Sequence, residues 1–83
     1  MKPLSGKELA RILERYGWRL VRVRGSHHFY MKPGRSERLS VPVHGNAVLK
    51  PRLQRHPMKT AGITEDMIRE EAAVYSAQEA QNA

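Results

Sequence analysis

The fold is decided by residues 18–32, which read WRLVRVRGSHHFYMK. Two runs rich in strand-forming residues flank the dipeptide Gly25-Ser26, a tight turn signal of the kind that closes a β-hairpin. We therefore predict strands over 18–24 and 27–32. Because side chains alternate along a strand, the two adjacent histidines point to opposite faces of the sheet. One face holds His27, Phe29 and Met31, and the other holds His28, Tyr30 and Lys32.

A helix precedes this hairpin. Ser5 and Glu8 have the spacing of a capping box, in which each residue satisfies a backbone amide near the other. Apolar residues then recur at helical spacing as far as Tyr16. Gly17 follows at the position where a left-handed residue commonly ends a helix. The pattern predicts a helix over about 6–16.

A third strand and a second helix follow the hairpin. We predict the strand over 38–43, with Pro42 at a strand end or a sheet edge because proline has no N–H for the ladder. Pro51 suits the first turn of the second helix, and Gly62 ends that helix. Pro57 removes one hydrogen bond inside it, so we expect the helix to be kinked, short or restarted there.

This order of elements predicts an α+β domain, in which helices cover one face of a three-stranded antiparallel sheet. Thr64 is placed to cap an extra C-terminal helix. Its weak apolar face would hold Met67, Ile68, Ala72 and Tyr75, and the last six residues are expected to fray. We divide the chain into a domain over 1–63 and an acidic helical extension over 64–83.

Charge is distributed unevenly along the chain. Residues 1–59 hold fourteen Lys and Arg against three acids, a net charge of +11, whereas residues 60–83 have a net charge of −4. A basic body of this kind favours a polyanionic ligand, and a nucleic acid is the first to consider. The acidic tail is open to three interpretations: it serves a partner, a helix or solubility.

Composition excludes several other classes of protein. The chain has no cysteine, which rules out disulfides and thiolate metal sites and fits a cytoplasmic protein. No apolar run approaches the ~20 residues that span a membrane, and the N-terminal residues lack the apolar segment of a secretory signal. No pair of histidines has a recognised zinc-ligand spacing, so we expect no metal and no cofactor.

Four histidines and a surplus of cations supply what RNA cleavage without a metal requires. Histidine titrates near neutral pH and suits proton transfer, while Arg and Lys suit the phosphate. His27 stands directly after the tight turn, where a rigid sheet would hold it and leave it accessible. His44 lies in the loop after the third strand and could join His27 in one site, whereas His56 has no functional signal. An ordinary strand histidine is the alternative interpretation of His27.

Five segments carry a resemblance to a known family. They are Gly17-Trp18, residues 21–28, which end in Gly25-Ser26-His27-His28, residues 41–46, which read VPVHGN, and the short matches LKP at 49–51 and AGI at 61–63. In these segments, and over roughly residues 4–63, the sequence resembles the HicA (YcfA-like) mRNA interferase toxins.

The resemblance implies a fold like the double-stranded-RNA-binding domain, of α-β-β-β-α order. It implies an endoribonuclease that cleaves mRNA and is neutralised by a HicB-like antitoxin, with no small-molecule substrate. The catalytic residue of the family follows Gly-Ser, which here makes it His27, presented by the turn Gly25-Ser26. We expect RNA to contact Arg22, Arg24, Lys32, His44, Lys50 and Arg52.

Two alternatives to the RNase stay open at this stage. A non-catalytic RNA-binding module of the same fold would bind phosphates without cleaving them, with a steep dependence on salt. An interaction protein would instead dock a partner through a sheet edge or through the acidic tail.

Overall fold

A computed structural model describes residues 2–70 of the chain. The elements are α1 (Gly6–Arg15), β1 (Arg19–Arg24), β2 (His27–Met31), β3 (Leu39–Pro42) and α2 (Pro51–Ala61). The strands form one antiparallel sheet in the order β1-β2-β3. This is the predicted α+β arrangement, with the predicted order of elements.

The core lies between the helices and one face of the sheet. Tyr30, Leu39 and Val41 are buried on the strands, while residues that alternate with them, such as His27 and Ser40, are exposed. Apolar residues from the helices and loops complete the core: Leu4, Leu9, Ile12, Leu13, Trp18, Leu49, Met58, Ile63 and Ile68. The opposite face of the sheet is therefore open, and it is the face on which His27 lies.

The start of α1 has the predicted capping box. The Ser5 hydroxyl accepts a hydrogen bond from the Glu8 amide at 3.1 Å, and the Glu8 carboxylate accepts one from the Ser5 amide at 2.9 Å. Gly6 sits so close to β3 that an added Cβ would lie 2.0 Å from the carbonyl oxygen of Pro42. Glycine at this position lets the first turn of α1 rest on the end of β3.

The second helix corrects the predicted restart at Pro57, because α2 runs from Pro51 to Ala61 without interruption. The proline still removes the N–H that would donate to the Leu53 carbonyl. Tertiary contacts offset this loss: Pro57 and Met58 are buried, and the Gln54 side chain accepts from the Leu4 amide at 2.9 Å. Gly62 ends the helix in a left-handed conformation with φ of 71°, as predicted.

The turn between β2 and β3 is tied to the last turn of α2. Arg35 forms an ion pair with Glu37 at 2.6 Å, donates to the Thr60 carbonyl at 3.0 Å and lies over the Trp18 ring, 5.7 Å from its centroid. The guanidinium of Arg35 lowers the pKa of Glu37 to about 2. The ion pair lies within the turn, and the hydrogen bond from Arg35 to the Thr60 carbonyl joins the turn to α2.

Beyond α2 the chain becomes helical again over 65–70. The Thr64 hydroxyl accepts a hydrogen bond from the Met67 amide at 3.3 Å, and Ile68 is buried in the core. The start of the extra helix is therefore as predicted, while Ala72, Tyr75 and the fraying end lie outside the described residues. Within residues 2–70, no helix is long and apolar enough to cross a bilayer.

Candidate active site

His27 is presented by a two-residue hairpin turn. Gly25 adopts a left-handed φ of 60°, and with Ser26 it connects the paired residues Arg24 and His27. The carbonyl of Ser26 accepts a hydrogen bond of 2.7 Å from the amide of Val43, which ties the turn to the chain just after β3. The side chain of His27 is exposed, while its backbone is held by pairing with both neighbouring strands.

The neighbours of His27 on the open face follow from the strand register. His27 lies opposite Arg24 on β1 and opposite Pro42 on β3. Directly opposed residues point to the same face, with Cβ atoms about 5 Å apart. The imidazole also stacks on the ring of Phe29, with centroids 6.5 Å apart and planes inclined by 24°. These contacts restrict the orientation of the imidazole and set a cation beside it.

A groove between the open face and α2 runs past His27 on both sides. We call the side towards the middle of α2 the cationic half, of about 360 Å³. Its lining residues are His27, Arg38, Ser40, Pro42, Arg52, Leu53, His56 and Pro57. Two guanidinium groups and two imidazoles converge here. This half suits a phosphodiester.

We call the other side the loop half, of about 310 Å³. Its lining residues are His27, Pro42, His44, Ala47, Val48, Leu49, Lys50 and Leu53. Val48 and Leu53 are 61% and 39% exposed, so large apolar side chains face solvent on this side of His27. This half offers apolar surface together with one cation, Lys50, and two histidines, His27 and His44.

Positive charge dominates the groove. No acidic residue lines either half among the described residues. The first turn of α2 also lacks an acid, and its N-cap, Lys50, makes no side-chain capping bond. The positive end of the helix dipole therefore adds to the field of Lys50 and Arg52. Within residues 2–70, no three His, Cys, Asp or Glu side chains cluster as metal ligands.

Comparison with known protein families assigns the chain to one of them. A family model described as the HicA toxin of bacterial toxin-antitoxin matches residues 6–63, which is more than half of the chain. The chain belongs to the HicA toxin family. The match includes the whole sheet, both helices and both halves of the groove, so the resemblance of the sequence is confirmed. A HicA toxin acts in a toxin–antitoxin pair. No curated protein matches the chain.

The structure of this HicA-family chain brings most of the predicted site residues together. His44, Lys50 and Arg52 line the groove beside His27. Arg24 lies opposite His27, and Arg22 lies opposite Phe29 on the same open face. The register of β1 shifts between Leu20 and Arg22. Leu20 therefore lies opposite Tyr30 on the side of the helices, whereas Arg22 lies opposite Phe29 on the open face.

Lys32, a predicted RNA contact, and His28, the neighbour of His27 in the sequence, lie away from the groove. Lys32 follows the far end of β2, beside Trp18 and Gly17, about 17 Å along the strand from His27. His28 lies under α1 with Tyr30, on the face opposite His27, as the alternation predicts. Burial and the adjacent Glu14 carboxylate raise the pKa of Tyr30 to about 12, so the phenol stays protonated at neutral pH.

Sequence reasoning missed three polar residues of the cationic half, Arg38, Ser40 and His56. His56 has no functional signal in the sequence, and Arg38 and Ser40 are not among the predicted RNA contacts. One signal was available: Arg52 and His56 are four residues apart and therefore lie on one face of a helix. The position of that face against β3 depends on tertiary packing, which spacing does not reveal.

Proposed function

We propose that the chain is an endoribonuclease that cleaves mRNA without a metal, as the toxin of its toxin–antitoxin pair. The observation that carries the proposal is the exposed His27, held rigidly at the centre of a groove with cations and no acids. His27 would transfer a proton during attack of the 2′-hydroxyl on the phosphorus. Arg38 and Arg52 would stabilise charge on the phosphate oxygens.

The groove also supports a single-stranded substrate. Its loop half offers the apolar surface of Val48 and Leu53 next to His27, and unpaired bases expose faces that favour such surface. Arg22 and Arg24 extend positive charge along the open face of the sheet. A single-stranded RNA bound across His27 would place its phosphate backbone on the cationic half and a base on the loop half.

The test is cleavage of an end-labelled single-stranded RNA in EDTA, with wild type compared with His27→Ala. We expect the variant to lose activity by about 10²–10⁴-fold, because a positioned proton-transfer group contributes that much. His28→Gln is the matched control, since His28 adjoins His27 but lies on the other face. Circular dichroism should match for all three proteins. Undiminished cleavage by a folded, nuclease-free His27→Ala preparation would contradict the proposal.

A non-catalytic RNA-binding module is the second candidate, favoured by the spread of Arg22 and Arg24 beyond the groove. The same experiment separates the two. Binding of RNA by wild type and by His27→Ala, with the label left intact by both, would support the binding module.

The antitoxin partner follows from the same surfaces. We propose that an acidic HicB-like antitoxin covers the groove and pairs with the edge strand β1. Every residue of β1 is exposed, including the apolar Leu20, Val21 and Val23, and it forms one edge of the sheet. The association rate should fall as KCl is raised, because opposite charges steer the encounter. An association rate independent of salt would contradict the electrostatic part.

A further inference from the structure

The cationic half of the groove contains a second histidine that the proposed function does not use. His56 lies on α2, one turn after Arg52, and both side chains line the groove with His27. Pro57, the next residue, is fully buried and anchors this part of the helix against the sheet. His56 itself is exposed at the rim. The groove therefore holds two imidazoles that approach from different elements, β2 and α2.

Cleavage of RNA by its own 2′-hydroxyl needs two proton transfers. The 2′-oxygen loses its proton to a base as it bonds to phosphorus, and the bond from phosphorus to the 5′-oxygen breaks. The departing 5′-oxygen takes a proton from an acid. The products are a 2′,3′-cyclic phosphate and a 5′-hydroxyl end, and the enzyme has lost one proton and gained another. Because attack and departure occur on opposite sides of the phosphorus, one imidazole cannot serve both at once.

We infer that His27 and His56 divide these two proton transfers, one as base and one as acid, across a phosphodiester bound in the cationic half. The inference rests on the proposed function and adds a second catalytic residue to it. Arg38 and Arg52 line the same half and would hold the non-bridging oxygens between the imidazoles.

The other titratable candidates are less well placed. His44 lines the loop half, on the far side of His27 from Arg38 and Arg52. His28 and Tyr30 lie on the opposite face of the sheet, beneath α1. Lys50 also lines the loop half. Of the residues described, His56 is the histidine that shares the cationic half with His27.

The test uses two RNA oligonucleotides that differ in one atom at the cleaved linkage. One has the natural 5′-oxygen, and the other has a bridging 5′-sulfur, whose thiolate departs without a proton from an acid. On the natural RNA, His27→Ala and His56→Ala should each slow cleavage by about 10²–10⁴-fold. On the sulfur RNA, one of the two variants should recover most of the wild-type rate and the other should not. Recovery by both variants or by neither would overturn the division of roles.

Two further variants separate proton transfer from simple phosphate binding. His56→Lys places a positive charge at this position but no imidazole, so it should be as slow as His56→Ala. Restored cleavage by His56→Lys would reduce His56 to a phosphate contact and overturn the inference. His28→Gln should cleave at the wild-type rate on both RNAs.

The outcomes also distinguish failure of the inference from failure of the proposed function. If His27→Ala is inactive while His56→Ala cleaves like wild type, the inference fails and the RNase proposal stands. If wild type leaves both RNAs intact, both fail. Because His56 is exposed, matched circular dichroism and thermal melting of the variants are expected.

Discussion

The two helices of the domain are stabilised in different ways. The first helix, α1, has a complete capping box and a continuous apolar face, with Glu8 in its first turn and Arg15 in its last. The second helix, α2, has no side-chain cap, no acid in its first turn and a proline inside. Yet α2 supplies Arg52 and His56 to the groove. The helix with the poorer local signals is the one that carries the candidate chemistry.

The difference has a physical origin in what each helix must do. An acidic N-cap or first turn would stabilise α2, but it would place negative charge beside Lys50 and Arg52, where a phosphate would bind. The helix is instead held by contacts from distant parts of the chain. Gln54 accepts from the Leu4 amide and donates to the Lys2 carbonyl at 2.6 Å, and Arg35 donates to the Thr60 carbonyl.

The larger effect should come from Gln54, which fastens α2 to the N-terminal segment. Gln54→Met keeps an unbranched side chain of similar length but leaves the buried amide of Leu4 without its acceptor. We expect the free energy of unfolding to fall by about 1–3 kcal/mol, measured by urea denaturation. RNA cleavage should fall as well, because displacement of α2 moves Arg52 and His56 away from His27.

Arg55→Met is the matched control for this variant. It places the same side chain on the next residue of the same helix, where the position is exposed. Its free energy of unfolding should stay within about 0.5 kcal/mol of wild type. Equal stability of Gln54→Met and Arg55→Met would mean that α2 does not depend on the Gln54 contacts, and the contrast between the helices would lose its main support.

The same contrast explains which parts of the fold are predictable from the sequence. The helix α1 and the three strands agree with prediction to within one residue at either end, because capping, alternation and the Gly25 turn are local signals. The continuity of α2 is not predictable in this way. It depends on burial of Pro57 and Met58 and on the Gln54 bonds, which join residues about fifty positions apart in the sequence.

The candidate site likewise contains residues that local sequence signals indicate and residues that only tertiary packing brings in. His27 is predictable because the turn before it, its strand position and the family resemblance all involve neighbouring residues. Arg38, Ser40 and His56 join it only when α2 packs against β3, and no spacing in the sequence indicates that contact. Lys32 shows the converse: it belongs to the same predicted strand as His27 but lies at its far end.

The smaller effect should come from Ser5, whose bonds are local to α1. Ser5→Ala removes the acceptor for the Glu8 amide, and loss of such a cap lowers stability by about 1 kcal/mol. Urea denaturation should show this decrease. RNA cleavage at a temperature where both proteins are folded should be unchanged, because the Ser5 side chain does not line the groove. A loss of cleavage as large as that of Gln54→Met would mean that α1 positions the groove as much as α2 does, and the two helices would then differ in sequence signals but not in role.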